Sequence, residues 1–197
     1  MIRSLRAVAV VLVLAAAGCG GSDGGPSPSP EPPAPFTDCA ALTAPPPAAE
    51  PVALSGEGKP LPEVALPCFT GDQEVTVSAI RGPAVVNLWG SWCPPCREEL
   101  PAFQRFADRA AGKVTVIGVD TRDSRSAAGS LAADLGLTYP NLFDPDERLR
   151  VKVGVSALPA TLFVDRDGRV RHLYNSTALD DATLATLVAR HLGVTLP

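Results

Sequence analysis

The chain has 197 residues, 46% hydrophobic and 19% charged, with a formal charge of -4 at pH 7. It has no basic run and no aromatic stripe, which argues against nucleic acid as a partner. Its five cysteines are an odd number, which in an exported chain needs an explanation.

Arg3 and Arg6 precede the apolar stretch Ala7 to Ala17, and small residues follow. That is the pattern of an export signal, shorter than the ~20 residues a bilayer span takes. Ala15-Ala16-Ala17-Gly18-Cys19 is similar to the lipobox of bacterial lipoproteins. The similarity implies removal of residues 1–18 as a lipoprotein signal peptide and acylation of Cys19 as the lipid anchor. Cleavage after Ala17 by an ordinary signal peptidase is the alternative. Residues 19–38, mostly Gly, Ser and Pro, bury no core and read as a disordered tether. Residues 39–67 remain proline-rich and read as an irregular extension. Residues 68–197 suffice for one domain with its own core.

Acylating Cys19 leaves four cysteines, Cys93 with Cys96 and Cys39 with Cys68. An extracytoplasmic compartment permits disulfides, so a structural Cys39–Cys68 bridge is expected. The alternative is that one of this pair exchanges with Cys93 and Cys96 during turnover.

Glu74 to Val77 reads as a short strand. Val85 to Trp89 is an apolar run suited to a strand covered on both faces. A helix is predicted from Pro94 to Ala110, with Leu100, Phe103, Phe106, Ala107 and Ala110 along one face and a kink at Pro101. Val114 to Asp120 is a second buried strand. Ser124 to Leu135 is a helix stopped by Gly136. Asn141 to Phe143 is a short edge strand, and Glu147 to Lys152 a helical turn. Thr161 to Val164 and Val170 to Tyr174 form a hairpin signalled by Asp167-Gly168. Asp180 to Leu192 is the closing helix. This order implies an α/β fold, a mixed central sheet flanked by helices.

Trp92-Cys93-Pro94-Pro95-Cys96 falls at the junction of the first buried strand and its helix. One helical turn brings the two sulfurs into bonding range. The first thiol then lies at the helix N-terminus, where the dipole and free N–H groups favour thiolate. The second waits one turn in to resolve a mixed disulfide. Pro94 and Pro95 occupy the first turn, where a missing N–H costs nothing. The alternative, half a zinc site, lacks a second CxxC, and His172 and His191 do not pair with each other. Both histidines read as surface residues, and no metal is expected. Glu99 lies three residues beyond Cys96, on a neighbouring position of the same helix face. There a carboxylate would raise thiol pKa values and relay the resolving proton. A surface glutamate paired with Arg97 or Arg105 is the alternative. Trp92 is placed at the wall of the site, in contact with substrate, and Trp89 in the core.

The element order and four segments carry a family likeness: Val86 to Pro101, Val116 to Asp120, Tyr139 to Asp144 and Val153 to Asp165. The region from Lys59 to Val194 resembles the thioredoxin fold, and within it the TlpA/ResA-type, membrane-tethered bacterial thioredoxin-like proteins. The resemblance implies a helical insertion, then a C-terminal hairpin and helix. It makes Cys93 the attacking thiol and Cys96 the resolving one, with Glu99 buried beside them. Pro94, Pro95, Leu158 and Pro159 become substrate contacts, with Pro159 the cis proline beside the redox pair. A trans proline starting a strand is the alternative. Leu158 departs from the threonine, isoleucine or valine common there.

The expected function is a lipid-anchored extracytoplasmic thiol–disulfide oxidoreductase on the cell membrane. It needs no cofactor beyond the Cys93–Cys96 redox disulfide. Expected partners are exported protein substrates, with apocytochrome c among them by resemblance, and a membrane thiol electron carrier. A monomer is expected. A disulfide-forming oxidase, a thiol peroxidase and a non-enzymatic lipoprotein are the alternatives, in that order. The peroxidase reading lacks the Pro-x-x-x-Thr/Ser-x-x-Cys context of peroxiredoxins before Cys93.

Overall fold

Residues 35–45, 57–110 and 112–196 are described by a computed structural model. The signal 1–18, Cys19 and most of the 19–38 tether lie outside the described residues, as do residues 46–56 of the extension.

The strands are β1 (Lys59–Pro60), β2 (Ala65–Pro67), β3 (Glu74–Thr76), β4 (Ala84–Trp89), β5 (Thr115–Thr121), β6 (Asn141–Asp144), β7 (Ala160–Val164) and β8 (Arg169–Tyr174). The helices are α1 (Pro94–Ala110), α2 (Arg125–Leu135), α3 (Arg148–Lys152) and α4 (Asp181–Leu192). Six strands form one sheet in the order β1-β8-β7-β4-β5-β6, and β2 pairs with β3 in a second. β4, β5 and β6 run parallel, while β7 is antiparallel to β4 and β8 to β7. This is the mixed sheet of a thioredoxin-like α/β fold.

All six residues of β4 are buried, which accounts for its unbroken apolar run. Val85 and Trp89, with Val116 and Phe163, face α1, α2 and α4. Phe103 and Phe106 of α1 are fully buried there, each worth ~2–3 kcal/mol relative to exposure. Val86, Leu88, Ile117 and Val119 face the other way. That face is covered by Leu42, Leu61, Val64 and Leu66 of the extension, with only Leu149 from α3. Helices therefore dominate one face, and the extension shares the cover of the other with Val75, Val77 and Ile80.

Local chemistry sets the element ends. The Ser124 hydroxyl caps α2 by accepting the Ala127 N–H at 3.2 Å, and Asp180 caps α4 through the Thr183 N–H at 2.7 Å. α1 continues through Pro101 to Ala110.

Two boundaries need correction. Phe36, assigned to the 19–38 tether, is buried, with its ring edge-on to Phe69 at 4.9 Å and to Trp89 at 6.4 Å. Thr37 N–H donates to Thr138 O. The extension is also not irregular throughout, because β1 joins the main sheet against β8 and β2 pairs with β3. Composition hid both: the partners of Phe36, Thr37 and β1 lie far along the chain, and the prolines of the extension masked the short β2 beside β3.

Candidate active site

β4 delivers the chain to Gly90-Ser91-Trp92, and Cys93 follows as the residue before α1. Cys93 carbonyl accepts the Arg97 N–H at 3.2 Å, the first bond of the helix. Cys93 and Cys96 are joined in a disulfide, Cα–Cα 5.3 Å. Cys96 N–H points at Cys93 Sγ, 3.3 Å away. Once the bond is reduced, that N–H and the helix dipole favour a Cys93 thiolate. Cys93 keeps 3% exposure and Cys96 none, so of the pair only Cys93 retains any accessible area. Pro94 is exposed and Pro95 half-buried in the first turn.

Glu99 is 1% exposed, which removes the surface alternative. Its Oε1 accepts Asn87 Nδ2–H at 2.6 Å and its Oε2 accepts Leu179 N–H at 2.9 Å. Asn87 projects from β4 toward α1 and also donates to Thr161 Oγ1 of β7 at 3.3 Å. Burial outweighs both bonds to Glu99 and raises its pKa from 4.5 to about 7. Arg105, the suggested partner, instead bonds Asp181 at 2.5 Å.

The Leu158–Pro159 bond is cis. Leu88 pairs with Ala160, so Pro159 lies at the end of β7 that flanks the Trp89 end of β4. Leu158 is half-buried against the cluster that holds Cys93 and Cys96. Asn175, which the sequence reading missed, clamps this turn by donating to Ala157 O at 2.9 Å and Pro159 O at 2.7 Å. Its only sequence signal is an asparagine just past a strand end.

Trp92 is 50% exposed and its indole donates to Thr121 O at 3.2 Å. Trp89 is buried and donates to Asn141 Oδ1 at 2.8 Å. The Asn141 amide fills the space a Cβ at Gly118 would take, so that position has no room for a side chain.

Cys39 and Cys68 form the expected bridge, Cα–Cα 5.9 Å, wholly buried on the opposite face from α1. The histidine reading is corrected. His172 and His191 stack with ring centroids 4.1 Å apart and planes 4° from parallel, against Phe163. β8 and α4 both pack on β7, and that tertiary contact brings together residues with no shared local pattern.

A redox-type disulfide at a helix N-terminus, beside a cis proline on a mixed sheet, defines a thioredoxin-like protein. Residues 58–173 match the AhpC/TSA family, and the chain belongs to it, in agreement with the TlpA/ResA-type resemblance. The thiol:disulfide interchange protein DsbE of Pseudomonas fluorescens biotype C is 35% identical over 119 residues, 59% of this chain and 65% of that protein. The match thus spans just under two thirds of that relative's length. The thioredoxin-like protein YneN of Bacillus subtilis is 27% identical over 124 residues, 61% of this chain and 72% of that one. Among solved structures, a secreted Mycobacterium tuberculosis disulfide oxidoreductase homologous to E. coli DsbE aligns with TM-score 0.58 and 26% identity, over 64% of this chain and 95% of that chain. A DsbF homologue from Corynebacterium diphtheriae aligns with TM-score 0.61 and 29% identity, over 68% and 87%.

Proposed function

We propose that this protein is an extracytoplasmic thiol–disulfide oxidoreductase, anchored to the cell membrane through acylated Cys19, that reduces disulfides in exported proteins. The observation that carries the reading is the Cys93–Cys96 bond at the start of α1, with Cys93 the more accessible of the two. In the reduced protein, Cys93 thiolate attacks one sulfur of a substrate disulfide. The Cys93–substrate bond forms as the substrate bond breaks, and the leaving sulfur takes a proton. Cys96 then gives its proton to Glu99 and attacks Cys93 Sγ. The Cys93–Cys96 bond closes as the Cys93–substrate bond breaks, and the second substrate sulfur leaves as a thiolate that takes a proton from Glu99 or water. Two electrons pass from the protein to the substrate. Glu99, with a pKa of about 7, can hold or release that proton at neutral pH. Trp92, Pro94, Pro95, Leu158 and Pro159 form the surface that meets the substrate. A membrane thiol carrier returns two electrons and two protons for the next cycle. Clients are exported proteins, with apocytochrome c among them by family resemblance, and the working unit is a monomer.

The test is the Cys93–Cys96 reduction potential, measured in defined thiol buffers with mass-spectrometric trapping that separates this pair from Cys39 and Cys68. A value near -270 mV, about that of thioredoxin, supports the reductase. A value near -120 mV, about that of a strong oxidant, reverses the electron flow and makes the protein a disulfide-forming oxidase.

A further inference from the structure

The loop before Cys93 is held by an acidic side chain that thiol exchange does not use. Asp123 Oδ2 accepts the Ser91 N–H at 2.5 Å, and its Oδ1 accepts the Ser124 N–H at 2.8 Å. Beside it the Trp92 indole donates to Thr121 O. A Cβ at Gly90 would stand 2.6 Å from Trp92 Nε1, so the indole lies directly against the Gly90 backbone. Two independent contacts thus dock residues 90–92 on the turn 121–124. Arg122 within that turn has φ 55°, a left-handed backbone that favours glycine, and its N–H is taken by Asp144 O at 3.1 Å.

Asp120 lies behind the turn, fully buried, and neither carboxylate oxygen has a donor. As a carboxylic acid it would carry its own proton to share with Asp123. Burial first, then the charge of Asp123 and a hydrogen bond with it, push Asp120 up to about 9. Asp144 adds to this and Arg125 opposes it. Asp120 is therefore the group kept as the acid at neutral pH, and the side chain that faces Ser91 is Asp123.

We propose that Asp123 is a positioning residue for the redox centre: its carboxylate clasps the Ser91 N–H and fixes the loop from which Cys93 attacks. The inference rests on the oxidoreductase reading for its catalytic consequence and on the Ser91 contact for its structural one. A loop free to shift carries Cys93 and Trp92 off their line of approach to a docked disulfide. Small misplacements of that kind cost rate even when the reacting group is intact.

The experiment measures amide hydrogen exchange at Ser91 by NMR and, on the same full chain, the stopped-flow rate of reduced Cys93 with the disulfides of insulin. In wild type, Ser91 N–H is expected to be protected although it lies in a loop. Asp123→Ala is expected to speed its exchange and slow the insulin reaction, each about tenfold. Asp123→Asn keeps an acceptor oxygen and is expected to restore both. The clasp is overturned if wild-type Ser91 exchanges like an open loop amide, a result that needs no variant to fold. It is also overturned if the Ala and Asn variants of Asp123 are equally slow, or if Asp123→Ala keeps the wild-type rate. A wild-type chain that protects Ser91 but leaves insulin untouched overturns the oxidoreductase reading and the catalytic half of this proposal, not the clasp.

Discussion

The Cys39–Cys68 and Cys93–Cys96 bridges span similar Cα separations, 5.9 and 5.3 Å, and all four residues are nearly sealed from solvent. Their neighbours differ. Cys93 Sγ faces the Cys96 N–H at a helix N-terminus, where an incipient thiolate finds a donor and the positive end of a dipole. Cys39 Sγ lies 3.5 Å from the Asn141 carbonyl oxygen, among Leu42, Leu66 and Leu142. A thiolate there would meet a negative dipole and an apolar wall, which disfavour the reactive anion. Two buried disulfides in one domain therefore differ in role because of what each sulfur would face as an anion. Burial alone does not separate them.

The largest effect expected is from Cys93→Ser, which should abolish insulin reduction followed by turbidity, whereas the paired change Cys39→Ala with Cys68→Ala should leave that activity in place. Equal loss in both would erase the distinction. The same paired change should instead lower the unfolding free energy in urea by about 3.5 kcal/mol, the loop entropy of a bridge closing this span. Unchanged stability would show that the buried bridge does not hold the extension.

Glu99 sharpens the contrast, since only the reactive pair has a titrating acid on its helix face. Its folded pKa, about 7, lies above its unfolded value near 4.5. Folding thus takes up a proton between those values. The stabilisation is complete below pH 4.5 and is lost as pH rises through 7, about 3 kcal/mol in all. Glu99→Gln should flatten that slope in urea titrations run at several pH values; a slope equal to wild type would refute the assignment.

The smallest effect belongs to the stacked histidines, remote from both bridges in sequence. Burial is the main cause that lowers both pKa values, so the folded state prefers the neutral rings. Their contribution should be present above pH 6.5, their ordinary value, and fade as pH falls through the folded values. This is opposite in sign to the Glu99 slope. Ring-proton NMR shifts should place both midpoints below 6.5, and either midpoint above it would contradict the stack.

The CxxC, the span of α1 and the stop of α2 at Gly136 were legible because each is written in neighbouring residues. Glu99 was half legible: i,i+3 spacing put it near Cys96, but its burial depends on Leu179, 80 residues away. Cys39–Cys68 followed from pairing arithmetic. Phe36, β1, Asn175, the Asp123–Ser91 contact and the histidine stack were not legible. Each takes its meaning from a partner on another element, and none carries a period or spacing of its own. The tether was misjudged at Phe36 because composition averages over a window, while packing needs only one ring in the right place.

The path of residues 59–69 has a consequence for crowding. β1 lies along one border of the main sheet, where Pro60 offers no N–H to an incoming strand. A few residues later, Cys68 forms a bridge with Leu142, and Phe69 N–H takes Asn141 O at the other border. One short piece of chain thus meets both rims of the sheet, and the buried bridge at Cys68 locks its second touch. Exposed rims are where sheets of neighbouring molecules join and aggregate. Blunted rims would favour solitary molecules over fibrous association when copies are crowded together.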